Sequence, residues 1–376
     1  MSKRITIVGA GFGALTAIRR IRKADKDVAI TVIAPKAEFV YYPSLIWVPS
    51  GKRRRQDIAI SLENFFNRRK VHFHPHAAKA IHAGGRLVET TSGTVENDGL
   101  IIASGARYLQ QLPGIEHACI PCRSVEDAER VRDRIAAMDG GTIAFGFSGN
   151  PEEGSAMRGG PVFEFVFGTE RYLRQKGLRE KFRLVFFCPS PRPGQRMGEK
   201  AVERLLEQMR RHRIELHIGH KLKGFEAGRI CTAAGDFDAD LIVFIPGMTG
   251  HSWLQSDKLP LSPGGLLRAD AHCQVEGMKN VYAIGDCASL PGPDWMPKQA
   301  HMADLQGACA AKNLLASLQG KAANATFRTE LACIVDSGDS GMFVWRSPGM
   351  NFMLPQMRPL HWLKRFFEWW YLRQYR

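Results

Sequence analysis

Apolar residues along this chain switch between a spacing of two and a spacing of three to four, and the switches mark its elements. Ile5, Ile7 and Val8 read as a short buried strand. From Leu15 the pattern turns helical, with Leu15, Ile18 and Ile21 on one side and Arg19, Arg20, Arg22 and Lys23 on the other. Strands are expected at 30–33 and 71–73, a hairpin at 86–91 and 94–96, and a buried strand at 98–106 that ends in small residues. A second alternation follows: helix 125–138, strand 142–145, helix 162–174, strand 184–187, helix 199–211, then strands 214–216 and 241–245. A strand across 280–288 and a helix running to 316 return to the first unit. Strands alternating with helices indicate parallel sheets, so the fold class is α/β. Two Rossmann-like dinucleotide-binding domains are expected, the first discontinuous (1–112 with 264–326) and the second at 113–263. A C-terminal amphipathic helical segment occupies 327–376.

On a helix over 360–376, His361, Lys364, Arg365 and Glu368 share one face. Trp362, Leu363, Phe366, Phe367, Trp369 and Trp370 cover the opposite side. Tryptophan beside basic residues is the composition of a helix lying in a bilayer interface. The alternative is a helix docked on the protein's own core or on a second copy.

A chain of 376 residues, 44% hydrophobic, suits two domains with sizeable cores and an appendage. The net charge of +15 points to an anionic partner. No nucleic-acid module is present, so a membrane surface or an acidic small molecule is the reading. No apolar run approaches the ~20 residues of a spanning helix. The first strand begins almost at the start of the chain, so a cleaved leader is not expected. The protein is placed peripherally on the cytoplasmic side of the inner membrane. Eight scattered cysteines are not a secreted disulfide framework, and no metal site is expected.

The candidate chemistry begins at Gly9-Ala10-Gly11-Phe12-Gly13-Ala14. Between a strand and a helix this is a dinucleotide-binding turn: Gly9 allows the tight bend, Gly11 lets backbone approach a pyrophosphate, and Ala14 lets the helix pack closely. The helix N-terminus then offers its unpaired N–H groups to phosphate. The second strand should end in a ribose-binding acid, but Ala34-Pro35-Lys36 stands there. In the second unit the corresponding glycine turn is replaced by a longer loop, 146–161, holding Glu152 and Glu153. Those carboxylates would repel a pyrophosphate, so nicotinamide dinucleotide binding is not expected there. Later segments complete a flavin site: Pro43 in an aromatic loop at 38–51, Ala78, the strand-ending Ala103-Ser104-Gly105, Gly285-Asp286 and Lys298. Asp286 suits a ribitol chain, and the helix after Lys298 aims its N-terminus at a ring edge.

Taken together, these segments resemble the two-dinucleotide-domain flavoproteins of the disulfide-reductase superfamily, and within it the sulfide:quinone oxidoreductase family. The likeness includes 38–48, Gly160-Pro-Val-Phe-Glu164-Phe, Pro297-Lys298, and Cys333 with the Asp336-Ser-Gly-Asp-Ser-Gly that follows. It implies FAD, a membrane-surface location, a quinone acceptor and a small-molecule sulfur donor such as sulfide. It also implies two flavin-facing cysteines. Cys333 matches one of them, while the other position falls at Met157 or Arg158. Cys122 matches an additional family cysteine, and its thiolate beside Arg123 or Arg158 would have a lowered pKa. Cys333, Cys122, Lys298 and Glu164 are therefore the catalytic candidates, with Glu164 as proton relay and Lys298 as a charge near the flavin or quinone. Arg158 stands ready to select an anionic donor. The type II NADH:quinone oxidoreductases are the rival resemblance, through a segment containing Gln299 and Gln306. A flavin-bearing redox sensor is the non-enzymatic alternative, and homo-oligomerisation is left open.

Overall fold

The computed structural model describes residues 3–255 and 259–376. Its first sheet contains β1 (Arg4–Val8), β2 (Ala29–Ile33), β3 (Val71–His74) and β4 (Gly99–Ile102), with helix α1 (Phe12–Ala24) following β1. The second unit comprises α2 (Val125–Ala136), β5 (Gly141–Phe147), α3 (Gly160–Gln175), β6 (Phe182–Cys188), α4 (Glu199–Arg211), β7 (Ile214–Ile218) and β8 (Leu241–Ile245). The chain then contributes β9 (Val281–Ala283) and α5 (Ala300–Leu318), and closes with β10 (Leu331–Asp336), β11 (Gly341–Ser347), β12 (Met350–Met357) and α6 (Arg358–Arg373).

Sheet one is parallel throughout, in the order β9-β4-β1-β2-β3. The inner strand β4, Gly-Leu-Ile-Ile, is buried at every position, while the edge strand β3, Val-His-Phe-His, alternates. Register places Val8 beside Ile33 and Ile102, and Ile102 beside Ala283, so these strands finish at one carboxyl edge. Ligands of doubly wound sheets bind at that edge. Sheet two is parallel as well, in the order β7-β6-β5-β8. Its core is built on Phe145, Phe163, Phe186 and Phe244, with the Phe163 and Phe186 rings stacked 5.2 Å apart.

The hairpin expected at 86–96 forms as Leu87–Thr90 and Gly93–Glu96, with Ala78–His82 added as a third antiparallel strand. Inside the aromatic loop, Glu38–Val40 pairs with Ala59–Ser61 and Tyr42–Trp47 is a 3₁₀ helix begun by Pro43. The tail departs most from expectation. It is an antiparallel sheet, β10-β11-β12, before it is a helix. Gly338 and Gly349, at φ +95° and +81°, stand at the two turns of that sheet.

Candidate active site

Gly9 sits at φ +112°, and a Cβ there would meet the Ala103 carbonyl oxygen at 2.3 Å, so only glycine fits the first bend. Its N–H donates to Ile33 O at 2.8 Å. A Cβ on Gly13 would meet Ile284 at 2.9 Å, and Ala14 is fully buried, so α1 seats tightly on the sheet. Over Gly11 and Gly105 there is open space. The N-cap of α1 is Gly11, with no side-chain cap and no acid in the first turn. Its N–H groups are thus available to an anion. Across the edge, Gly285 N donates to Gln306 Oε1 at 2.7 Å, which ties the Gly-Asp turn to α5. Gln299 Oε1, at the α5 N-cap, is buried without a hydrogen-bond partner among the described residues. An orphaned buried acceptor is what a polar ligand would satisfy. The residues present fit a dinucleotide.

Ala34 is buried at the end of β2, whereas Pro35 and Lys36 are exposed. The next carboxylate, Glu38, is paired with Arg55 at 2.6 Å. Ala78 opens the hairpin sheet. Ser104 O accepts from His251 Nε2 at 3.1 Å. The Lys298 ammonium is spent on the carbonyls of Ala288 and Gly285, and burial lowers its pKa against the opposing pull of Asp286. Asp286 is paired with Arg158. Phe12 belongs to an aromatic cluster with Phe39, Tyr41 and Tyr371, the last at 5.1 Å between ring centroids. Tyr371 lies on α6, so the tail reaches the first turn of α1.

The loop leaving β5 is packed down onto its own fold. Asn150 Nδ2 donates to Met248 O at 2.9 Å, and a Cβ on Gly247 would meet the Gly149 and Asn150 backbone at 2.4 Å. That packing fixes the loop against the turn that leaves β8.

Burial defeats the thiolate expected at Cys122. It pushes that thiol up to about 12, outweighing the pull of Arg158, and Arg123 is engaged with Asp127 instead. Cys333 is likewise pushed to about 12 by burial, with the Glu164 carboxylate adding to the shift and Lys364 opposing it. Glu164 itself is the fifth residue of α3, accepting the Asp336 N–H at 2.8 Å and an ion pair from Lys364. Burial pushes its pKa up to about 7.

The tail network was not visible in the sequence. His361 Nδ1 contacts Asp336 Oδ2 at 2.6 Å, and Trp47 Nε1 donates to Asp336 Oδ1 at 3.0 Å. Arg53 pairs with Glu368 at 2.9 Å, and Ser44 donates to the same carboxylate. The polar face of α6 is therefore its inner face: His361 is 7% exposed and Glu368 6%, against 61% for Trp362 and 52% for Phe366. The helix is amphipathic in the inverted sense. The one available signal was the breadth of the aromatic face, too wide for a seam on a core.

Residues 3–307 match the family described as pyridine nucleotide-disulphide oxidoreductase. The sulfide-quinone reductase of Aquifex aeolicus is 22% identical over 371 residues, covering 93% of this chain and 84% of that protein. The type II NADH:quinone oxidoreductase of Staphylococcus saprophyticus is 22% identical over 351 residues, covering 86% and 84%. Among solved structures, the sulfide:quinone oxidoreductase of Aquifex aeolicus superposes with a TM-score of 0.89 at 21% identity, covering all of this chain and 92% of that one. The NDH2 structure from Plasmodium falciparum gives 0.78 at 13% identity, covering 98% and 94%. With the glycine cradle and the two parallel sheets, this match shows that the chain belongs to the pyridine nucleotide-disulphide oxidoreductase family and is a flavoprotein enzyme whose cofactor is FAD.

Proposed function

We propose that this enzyme passes two electrons from a small sulfur-containing donor, through FAD, to a membrane quinone. The observation that carries the reading is the long loop after β5. Twelve residues, Glu152 and Glu153 among them, separate β5 from α3, where only three separate β1 from α1, and this supports a donor other than a dinucleotide at the second sheet. Full-length similarity to a sulfide-quinone reductase supports the donor and acceptor classes. FAD, when bound, supplies the two-electron carrier.

In this reading Gly9, Gly11 and the α1 N-terminus hold the diphosphate, Ala34 to Lys36 and Ala78 lie toward the adenosine, and Asp286 faces the ribitol. Glu164 has a pKa near neutrality, matched to exchanging a proton at working pH. Lys298 adds positive charge where a reduced ring would carry negative charge. Cys333 is the sulfur-handling thiol, with Cys122 buried as a neutral neighbour. The exposed face of α6, together with Phe352 and Met350 on the β11–β12 hairpin, lies in the bilayer interface. No helix among the described residues is long and apolar enough to cross a membrane.

An anaerobic titration tests this reading. Sulfide added to the purified yellow protein bleaches the flavin's visible absorbance, and NADH does not. Bleaching by NADH alone would replace the donor with a nicotinamide dinucleotide, and bleaching by neither would leave a redox sensor. Replacing Cys333 by Ser should abolish the sulfide-driven change.

A further inference from the structure

The turn after β5 carries a charged group that the chemistry above leaves unused. Arg196 donates to the carbonyls of Ser155 at 3.5 Å and Met157 at 3.4 Å, and also to Gly154. Those bonds tie the turn down and set where Arg158 leaves it. The Arg158 side chain crosses to the carboxyl edge of the first sheet, where Nη2 pairs with Asp286. A guanidinium has five N–H groups. Among the described residues no other hydrogen bond from this one is found, and the side chain stays 22% exposed.

The groups facing Arg158 are the Tyr42 and Tyr108 hydroxyls and the Cys122 thiol, all neutral because burial pushes their pKa values up. Asp286 also acts on the buried Lys298 ammonium, as do Glu153 and Arg196. Glu153 is occupied by Ser155 at 2.6 Å. Among the described residues Asp286 is the one carboxylate paired with Arg158, and no second anion of the protein meets its open edge. A planar fork of N–H donors is the geometry that receives two oxygens sharing one negative charge.

We infer that Arg158 is a specificity-determining residue whose open guanidinium edge binds the electron donor through an oxyanion head. The donor is then a small sulfur compound that also carries a carboxylate or sulfur-oxyanion group, for which sulfide in the titration above stands in as the reacting sulfur alone. This rests on the reading of the first sheet's edge as the FAD site, since that is what puts the donor beside Arg158. It also accounts for the absence of a second cysteine at 157–158: the turn orients the donor by charge while Cys333 handles its sulfur.

The test is calorimetric binding of acetate and of sulfite to the full chain as purified, with chloride matching the ionic strength, and flavin content measured in the same sample. Saturable binding that weakens about tenfold or more in Arg158→Met, as loss of a charge-assisted pair requires, and recovers in part in Arg158→Lys is the expected result. Flavin content should be equal in all three. Equal binding by wild type and Arg158→Met overturns the inference, as does loss of flavin from Arg158→Met, which would make Arg158 a cofactor-holding residue. If the wild type carries no flavin yet binds the anions through Arg158, the FAD reading fails and the anion site stands.

Discussion

Glu164 carries a pH dependence of stability that one substitution should erase. Its side chain is 7% exposed, and burial pushes its pKa from 4.5 up to about 7 in spite of Lys364 and the Asp336 N–H. Between those two values the unfolded chain has released a proton that the folded chain still holds. The contribution of this group to stability therefore falls as pH rises from 4.5 toward 7 and is level above that. At about 1.4 kcal/mol per tenfold change in proton affinity, the full loss is about 3 kcal/mol. Glu164→Gln preserves the shape and the acceptor for Asp336 N–H but has no proton to release. Relative to wild type, the variant should gain about 3 kcal/mol between pH 5 and pH 8. Denaturant unfolding of both proteins, followed by tryptophan fluorescence across that range, gives the difference directly. Taking the difference removes the titration of groups that Glu164 does not touch, such as Asp304, which burial raises to about 6; Lys364, left without its partner and lowered by burial, adds to the variant's gain with rising pH. A wild-type-to-variant difference that stays flat with pH would refute the reasoning.

Other expectations follow from the same geometry. Gly9→Ala places a Cβ 2.3 Å from Ala103 O, so the purified variant should lose the visible flavin spectrum while keeping its far-ultraviolet dichroism. Glu368→Gln strips the partner from Arg53, whose side chain is only 14% exposed, and thermal melts should register a cost of roughly 3 kcal/mol. Replacing Trp362, Phe366 and Trp369 together by Ser touches only exposed positions, so the variant should fold normally yet fail to co-sediment with anionic vesicles. Because the Cys333 thiol is pushed to about 12, sulfide-driven flavin bleaching should rise about tenfold per pH unit between pH 8 and 10 in stopped-flow traces. A flat profile would show that Cys333 does not react as a thiolate.

The first sheet and its cradle were legible because their determinants are local. A strand, a glycine bend and a helix are each written in a few consecutive residues, and Gly9 has no alternative at φ +112°. The strands and helices of the second unit were legible for the same reason, down to α4 at Glu199–Arg211. The antiparallel sheet of the tail was missed because its pairing is non-local: β10 is satisfied by β11, not by its own sequence. Cys122 was misread because proximity to an arginine in sequence says nothing of how deeply the sulfur is buried, and burial is the larger effect.

What the sequence by itself determined is the pair of parallel sheets, the glycine turn between β1 and α1, and a tail helix with one polar and one aromatic face. It could not say which face of that helix points inward. Only the tertiary structure decided that, because Glu164, Asp336, Ser44 and Arg53 arrive from distant segments to meet Lys364, His361 and Glu368. A charged side chain is tolerated inside when its partners are already there, and partners drawn from the whole chain leave no mark in a local pattern.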